Sequence, residues 1–402
     1  MAAWSGYWPP FLWGAATSSH QIEGGQNNDW TDFEDQGGGR GRSGLAADHW
    51  HRWREDFSYL RTLGLNSYRL SLEWSRIEPT PGHFDRSVLD HYRTMTDSLL
   101  DLGIIPLVTL HHFTLPHWVK EKGGFLNRHA SEWFVRYVKT AVDCLGDRVN
   151  FYVTINEPMV LVVMGYLMAL WPPEKRGFGR ALYLINRLSA IHRDAYAAIK
   201  GAHQKAWVGL AHHVIAFHPF TDTIADRLTG RVLHYLMNQR FMKMVGEAQD
   251  FIGINYYTRQ YAHWSRGLHP IQNKPGQLVS DLGWEVYPRG LLEVLKSLPT
   301  FNKPIFITEN GIATRNEALR TTYLAGHLNV IGQAQRLGLD IRGYFHWSLL
   351  DNFEWAEGYS PRFGLVGVDY ATQKRTIKNS ALIYRDIIRA NQGQYPITVP
   401  SG

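Results

Sequence analysis

The feature that most restricts the fold is a regular alternation of short apolar runs and longer amphipathic stretches. Eight runs rich in β-branched and aromatic residues lie at 11–17, 67–74, 104–111, 149–156, 206–213, 250–257, 304–310 and 342–350. Their apolarity is continuous rather than alternating, which is typical of strands buried on both faces of a parallel sheet. Helical patterns follow at about 48–63, 87–102, 128–146, 178–203, 222–246, 288–298, 315–337 and 377–391.

Eight strand–helix units in 402 residues predict the α/β class and a single (β/α)8 TIM barrel. We expect one domain over residues 1–402, because no linker or low-complexity segment divides the chain. A doubly wound open sheet is the alternative, and the count of eight argues against it. The glycine-rich run 37–44 lacks a following Gly-Lys-Ser/Thr, so it predicts a flexible loop rather than a phosphate-binding loop.

Composition excludes several classes of partner. The net charge is +6, but no run of five or more Lys and Arg occurs, so we expect no nucleic-acid partner. No window approaches the ~20 apolar residues of a membrane span, so no membrane partner is expected. Cys144 is the only cysteine, which excludes an intrachain disulfide and cysteine-rich zinc sites. Residues 1–19 lack the pattern of a signal peptide, which predicts a cytoplasmic monomer or homo-oligomer.

Polar and aromatic side chains collect where the predicted strands end. In a barrel, the C-terminal strand ends carry the site. Reading them in order gives Gln21, Glu23, Arg69, His111, His112, Asn156, Glu157, Asn255, Tyr257, Glu309, Asn310, Trp347, Glu354 and Trp355. Carboxylates and amides bind hydroxyl groups, and aromatic faces stack on C–H surfaces. The mixture indicates a neutral, polyhydroxylated ligand.

Glu157 and Glu309 end strands 4 and 7, on opposite sides of a barrel mouth. Two carboxyls facing a gap suit glycoside hydrolysis, in which one holds a proton near neutral pH and the other stays ionised. Arg69 and Tyr257 would hold the second carboxylate charged and oriented. A single glutamate at a strand end is more often a helix-cap neighbour or an ion-pair member. The pair, with an asparagine beside each glutamate, favours catalysis.

The histidines in LHHFTLPH do not predict a metal site. Adjacent residues of a strand point to opposite faces, so His111 and His112 cannot readily bind one ion together. The chain contains no HExxH pattern. We expect one of the two to face the pocket and the other to pack outside the barrel.

Seven ordered motifs resemble glycoside hydrolase family 1, the β-glucosidases, β-galactosidases and 6-phospho-β-glycosidases. They are FLWGAATSSHQIEG, YRLSLEWSRIEP, TLHHFTLP, TINEP, DFIGINYY, ITENG and WSLLDNFEWAEGYSPRFGL, and the resemblance runs from about residue 11 to about residue 391. The resemblance implies a retaining double displacement without metal or organic cofactor. Glu309 would be the nucleophile and Glu157 the acid/base of a catalytic barrel domain.

The resemblance also implies the residues that surround the substrate. Sugar-binding residues would be Gln21, His112, Asn156, Trp347, Glu354 and Trp355. Arg69, Asn255 and Tyr257 would support the nucleophile, and Trp284 would line the aglycone side. The expected substrates are small-molecule β-glycosides or short β-linked oligosaccharides, cleaved at the terminal non-reducing residue.

Several positions depart from the family pattern. Met159 replaces the tryptophan common after NEP, and Phe113 replaces the tryptophan of YHW. Both are expected at the pocket wall, on the aglycone side. The phospho-glycosidases carry a serine and a lysine where this chain has Glu354 and Glu357, which favours unphosphorylated gluco-, galacto- or fuco-configured sugars.

The chain is shorter than is usual in the family, mainly in 214–250 and after ITENG, which suggests a more open cleft. Two other functions stay open at this point. A transglycosidase would use the same covalent intermediate, and a carbohydrate-binding pseudoenzyme would have lost the chemistry.

Overall fold

The strands form a closed parallel barrel, as predicted. The computed structural model describes residues 11–298 and 302–399. Each strand pairs in parallel with the next, and the eighth closes on the first. The strands are β1 (Leu12–Ala16), β2 (Ser67–Ser71), β3 (Ile105–His111), β4 (Phe151–Asn156), β5 (Trp207–Pro219), β6 (Phe251–Ala262), β7 (Ile305–Asn310) and β8 (Ile341–Trp347). Residues 1–10, 299–301 and 400–402 lie outside the described residues. The prediction of one domain over 1–402 includes all of them, and the prediction that no signal peptide is present concerns residues 1–10.

One long helix follows each barrel strand, and all eight predicted helices are present. They are α1 (His49–Thr62), α2 (Arg86–Asp101), α3 (Ala130–Leu145), α4 (Phe178–Ala202), α5 (Ile224–His234), α6 (Pro288–Ser297), α7 (Glu317–Arg336) and α8 (Asn379–Ala390). Side-chain caps fix several starts: Asp85 accepts from the backbone N–H groups of Ser87 and Val88 at the start of α2. The predicted helix 222–246 is divided, because a π-helical turn separates α5 from a second short helix.

Shorter helices fill the connections. The α-helical ones are Ser19–Ile22, Asp29–Asp35, Trp74–Ile77, His117–Glu121, Pro158–Val162 and Arg240–Val245. The π-helical turns are Val163–Leu167 and Tyr235–Gln239, and the 3-10 turns are Gly124–Leu126, Gly146–Arg148, Trp264–Arg266 and Trp355–Glu357. Most of the α-helical segments lie in the loops after β1 to β4, at the end of the barrel where catalytic groups collect.

Two strands extend further than predicted. β5 and β6 run past residues 213 and 257, and their added residues pair from Ala216 with Arg259 to Pro219 with Ala262. A register shift between Val214 and Ala216 precedes this extension. A small antiparallel pair, β9 (Val366–Val368) and β10 (Arg375–Ile377), was also not predicted. The longer strands raise one side of the barrel mouth above the others.

The base of the barrel is filled by aromatic rings. Four buried phenylalanines lie inside it: Phe151, Phe251, Phe306 and Phe345. The rings of Phe251 and Phe306 meet edge to face, with centroids 4.9 Å apart. Glycines make room for them, since a Cβ on Gly14 would come within 2.4 Å of the Phe345 ring. The barrel is therefore a packed core below its mouth.

The helices cover the outside of the barrel with a second apolar layer. Phe134, Tyr137 and Ala141 of α3 lie at helical spacing and are fully buried. Across the described ranges, none of the helices combines the length and apolarity that crossing a membrane requires.

Candidate active site

Glu157 occupies the residue directly after β4. All six residues of β4 are buried, so the strand holds the position rigidly. Glu157 has φ 45°, in the left-handed region, and Pro158 begins the next helix. Its backbone N–H donates to the carbonyl oxygen of Ala211 at 2.8 Å. A left-handed non-glycine residue is uncommon, and such conformations cluster at functional sites.

Two side chains contact the carboxyl group of Glu157. The Asn255 amide Nδ2 donates to Oε1 at 2.9 Å, and His213 Nδ1 lies 3.2 Å from the same oxygen. Thr308 Oγ1 donates to Asn255 Oδ1 at 2.6 Å, which fixes the orientation of the amide. The Glu157 side chain is 9% exposed, so it lies at the mouth yet is largely desolvated.

Glu309 is held on both of its oxygens. Arg69 Nη1 donates to Oε1 at 2.6 Å, and the Tyr257 hydroxyl donates to Oε2 at 2.6 Å. Arg69 also reaches Asn156 Oδ1 at 2.6 Å and the Thr308 carbonyl oxygen at 3.1 Å. Arg69 therefore links β2, β4 and β7. Arg69 and Tyr257 thus contact the second carboxylate, as expected. Asn255, also expected to support the nucleophile, instead donates to the other glutamate, Glu157.

Burial and charge act in opposite directions on Glu309. Burial raises the pKa of Glu309, and the nearby charge of Glu157 raises it further. Arg69 and the Tyr257 hydrogen bond act to lower it, but the net pKa shift is upward. Two neighbouring buried carboxyls therefore resist being ionised together.

A close backbone contact sets the chain after Glu309. The loop residue Gly311 packs against Trp347 at the end of β8, and a Cβ on Gly311 would lie 1.8 Å from the Trp347 carbonyl oxygen. Only glycine fits this distance. The glycine of the ITENG motif thus allows β7 and β8 to bring Glu309 and Trp347 together.

The expected sugar-binding aromatics form one wall. The ring of His112 is stacked with Trp347 at 5.8 Å and with Trp355 at 6.0 Å between centroids. The Asn156 amide Nδ2 donates to His112 Nε2 at 3.2 Å. Burial holds the pKa of His112 well below its ordinary value, so this ring is neutral. His111 instead packs against Phe125 and Phe134 of the outer layer, as expected for its neighbour in the strand.

Gln21 and Glu354 meet at the other side of this wall. Gln21 Nε2 donates to Glu354 Oε2 at 3.1 Å and to the Asn352 side chain at 2.9 Å. The Ser18 hydroxyl donates to Gln21 Oε1 at 2.7 Å and so fixes the amide. Burial, with a contribution from the charge of Glu309, raises the pKa of Glu354 to about 8, although hydrogen bonds from Gln21 and Trp347 oppose the shift. Glu354 is therefore mainly protonated at neutral pH.

The three residues expected on the aglycone side differ in their surroundings. Trp284 is half-buried and meets the Tyr257 ring edge to face at 5.4 Å. Phe113 is buried and contacts Trp171 and Trp355 with centroids 5.2 Å away in each case. Met159 is 7% exposed and belongs to the packed core. Phe113 thus packs against Trp355 of the aromatic wall. Its role on the aglycone side of the site stays a prediction.

The structure separates the strand-end residues into two groups. Glu23 accepts from the Tyr92 hydroxyl, and Asn310 donates to the Tyr323 hydroxyl, so both serve packing away from the paired glutamates. His213 was missed by sequence reasoning. In the structure His213 pairs with Asn255 across β5 and β6, a register that the sequence alone does not give.

The mouth of the parallel barrel thus carries two buried glutamates. One accepts hydrogen bonds on both oxygens, and the other faces an amide and an imidazole. Glycosidases use such a pair of carboxyl groups. Fold and site together define a (β/α)8 glycoside hydrolase.

Comparison with known proteins identifies the family. The model described as "Glycosyl hydrolase family 1" matches residues 6–247 and 230–393. The sequence is 33% identical to Beta-glucosidase A of Thermotoga maritima, over 95% of this chain and 97% of the relative. The chain belongs to glycosyl hydrolase family 1.

Solved structures agree with this assignment. A β-glycosidase from Pyrococcus horikoshii superposes with a TM-score of 0.90 and 39% identity, covering 94% of each chain. A β-glucosidase from T. maritima in complex with glucoimidazole has a TM-score of 0.90 and 32% identity, covering 96% of this chain and 99% of that one.

Proposed function

We propose that the protein is a retaining β-glucosidase that hydrolyses terminal non-reducing β-D-glucosyl residues, with gluco-, galacto- and fuco-configured sugars as candidate substrates. The observation that carries the proposal is the unequal environment of the two glutamates. Both oxygens of Glu309 accept short hydrogen bonds from Arg69 and Tyr257, as a nucleophilic carboxylate requires. The names of the relatives, β-glucosidase and β-glycosidase, support the same substrate class.

The proposed reaction has two steps. A carboxylate oxygen of Glu309 attacks the anomeric carbon while the bond to the leaving oxygen breaks, and Glu157 gives its proton to that oxygen. Glu157 then takes a proton from water, which attacks the anomeric carbon and releases Glu309. Retention requires the two carboxyl groups to lie ~5 Å apart, and a separation of ~9 Å would instead mean inversion.

Roles for the sugar-binding groups follow from their contacts. Gln21 and Glu354, which are hydrogen-bonded to each other, would bind hydroxyl groups of the glycosyl unit. Trp347 would stack against its C–H face, and Asn156 with His112 would reach the hydroxyl next to the anomeric carbon. Trp355 completes the wall on the side of His112.

The raised pKa of Glu354 weakens the charge repulsion that was expected to exclude phosphorylated sugars. Glu354 has a pKa near 8, so charge repulsion alone does not exclude a phosphate at pH 7. Glu357 pairs with Arg40 at the surface and takes no part. The groups that donate hydrogen bonds to Glu354 are the Gln21 amide and the Trp347 indole, and neither carries the positive charge that would neutralise a phosphate. A buried phosphate without a cation would be strongly disfavoured.

A mechanism-based inhibitor tests the proposal directly. A 2-deoxy-2-fluoro-β-glucoside with a dinitrophenyl leaving group should label Glu309 once per chain, as read by mass spectrometry of the peptide. Failure to label would favour the binding-only pseudoenzyme, and labelling elsewhere would refute the nucleophile assignment. Product analysis at high substrate concentration separates hydrolysis from transglycosylation. A cytoplasmic location and the oligomeric state stay predictions from the sequence.

The width of the cleft is tested by substrate length. The short segment 214–250 suggests an open cleft that accepts cellobiose and longer oligosaccharides besides aryl glycosides. Turnover of aryl glycosides with none of oligosaccharides would count against this idea. A panel of nitrophenyl glycosides, with and without a 6-phosphate, would identify the preferred sugar.

A further inference from the structure

His213 is a side chain at the acid/base glutamate for which neither the family motifs nor the reaction scheme provides a role. It lies on β5, and its Nδ1 is 3.2 Å from Oε1 of Glu157. The two side chains are 17% and 9% exposed, so the contact is sheltered from water. A sheltered hydrogen bond to a carboxyl group is stronger than one in solvent.

The same oxygen accepts a second hydrogen bond. Asn255 Nδ2 donates to Oε1 at 2.9 Å, and the orientation of that amide is set by Thr308. In the tautomer of His213 that carries its hydrogen on Nδ1, an amide N–H and an imidazole N–H are both directed at Oε1, and this oxygen accepts from both. The proton that Glu157 donates and recovers therefore belongs on Oε2.

The imidazole is itself held in place. Its ring is stacked with Tyr257, with centroids 6.1 Å apart and planes inclined by 29°. Tyr257 donates its hydroxyl hydrogen to Glu309. The Tyr257 side chain therefore contacts both the carboxyl group of Glu309 and the imidazole beside Glu157. His213 and Asn255 are also register partners on β5 and β6. Groups carried by paired strands keep their geometry better than groups carried by loops.

We propose that His213 is a positioning residue for acid/base catalysis, which donates from Nδ1 to Oε1 of Glu157 and directs Oε2 at the leaving oxygen. The inference rests on the proposed acid/base role of Glu157. Its effect should scale with the need for proton donation. Leaving groups that depart as alkoxides depend on an oriented Oε2–H, whereas acidic phenols depart without it.

The test compares His213→Phe, which keeps a ring on Tyr257 but removes the donor, with His213→Asn, whose amide nitrogen can replace Nδ1. The matched control is His212→Phe, because His212 is the adjacent buried histidine and packs against Phe241 on the other face of the strand. The concentration of active sites is titrated with the fluoro-glucoside, and each rate is divided by it. A partly unfolded fraction of a variant therefore does not lower the rate that is compared.

We expect His213→Phe to lower kcat/KM for cellobiose and alkyl β-glucosides by about 10- to 100-fold, the size of one hydrogen bond to a charged group. Its kcat/KM for 2,4-dinitrophenyl β-glucoside should fall by less than ~3-fold, since that leaving group needs little assistance. His213→Asn should recover most of the loss, and His212→Phe should show no dependence on the leaving group.

An equal loss for all leaving groups, or no loss, would overturn the proposal for His213. The proposed function has a separate readout: if Glu157→Ala shows leaving-group dependence and His213→Phe does not, only the role of His213 fails. If Glu157→Ala shows none, the acid/base role itself fails. Should His213→Phe not accumulate as folded protein, the comparison of His213→Asn with His213→Ala gives the same decision.

Discussion

Replacing Glu354 by glutamine should change how the stability of the protein depends on pH. The folded protein holds the proton of this half-buried carboxyl up to about pH 8, whereas the ordinary pKa is 4.5. The folded state therefore binds more protons than the unfolded chain between these values. The stability associated with Glu354 is present in full below pH 4.5 and is lost as the pH rises through 8. Glutamine cannot ionise, so Glu354→Gln escapes this loss.

The size of the effect follows from the shift. At 1.36 kcal/mol per pKa unit, the shift from 4.5 to about 8 corresponds to at most about 5 kcal/mol. Relaxation and water penetration reduce such buried-charge penalties, so about 2–5 kcal/mol is expected. The unfolding entropy is about 2.1 cal/mol/K per residue, so for a chain of 402 residues this free energy corresponds to a change in Tm of about 2–6 °C.

The assay is the Tm of both proteins from pH 4.5 to 8.5 by calorimetry or fluorescence. The Tm of Glu354→Gln relative to wild type should rise by about 2–6 °C as the pH is raised across this range. A constant offset is also expected, because the amide presents N–H groups to a site built from donors. Glu121→Gln, at an exposed position, serves as the control and should show no such trend. A Tm difference between Glu354→Gln and wild type that stays constant with pH would show that the pKa of Glu354 is not raised in the folded protein.

Other substitutions test the site and its framework. Glu157→Ala should lower kcat/KM for alkyl glucosides by about 10²–10⁴-fold, spare dinitrophenyl glucoside and be rescued by azide; equal loss for every leaving group would contradict the acid/base role. Tyr257→Phe removes the 2.6 Å hydrogen bond to Glu309, so we expect kcat for dinitrophenyl glucoside to fall about 10- to 100-fold. The dependence of Tm on pH should not change. An unaltered kcat would show that this hydrogen bond is dispensable. Gly311→Ala would place a methyl group 1.8 Å from the Trp347 carbonyl oxygen, so it should lower the Tm by several degrees and abolish fluoro-glucoside labelling, whereas normal labelling would show that the loop can move aside.

Much of the fold could be predicted because the periodicity of apolar residues reports burial directly. All eight strands and eight helices agree with the sequence pattern. The ends of β5 and β6 could not be predicted, since HHVIAFHP is interrupted by histidines and only pairing with the neighbouring strand makes it a continuous strand. The π-helical turn within 222–246 has no periodicity signal of its own.

The site was predictable to the level of which residues end strands, and no further. Strand position brought Arg69 and Tyr257 to Glu309, as expected. It could not reveal that burial outweighs the guanidinium and raises the pKa of Glu309, because desolvation depends on the whole surrounding core. It also missed His213, since the approach of a side chain from β5 to one from β4 depends on the twist and register of the closed barrel.

The rings that fill the base of the barrel have a consequence for turnover. Phe251, Phe306 and Phe345 fill the interior of the barrel below the glutamates, so a sugar cannot leave through the barrel axis. A released monosaccharide must leave by the route through which the next substrate arrives, past the site of the departing alcohol. Accumulated glucose should therefore compete with substrate, and a long oligosaccharide should be shortened one unit at a time from its end.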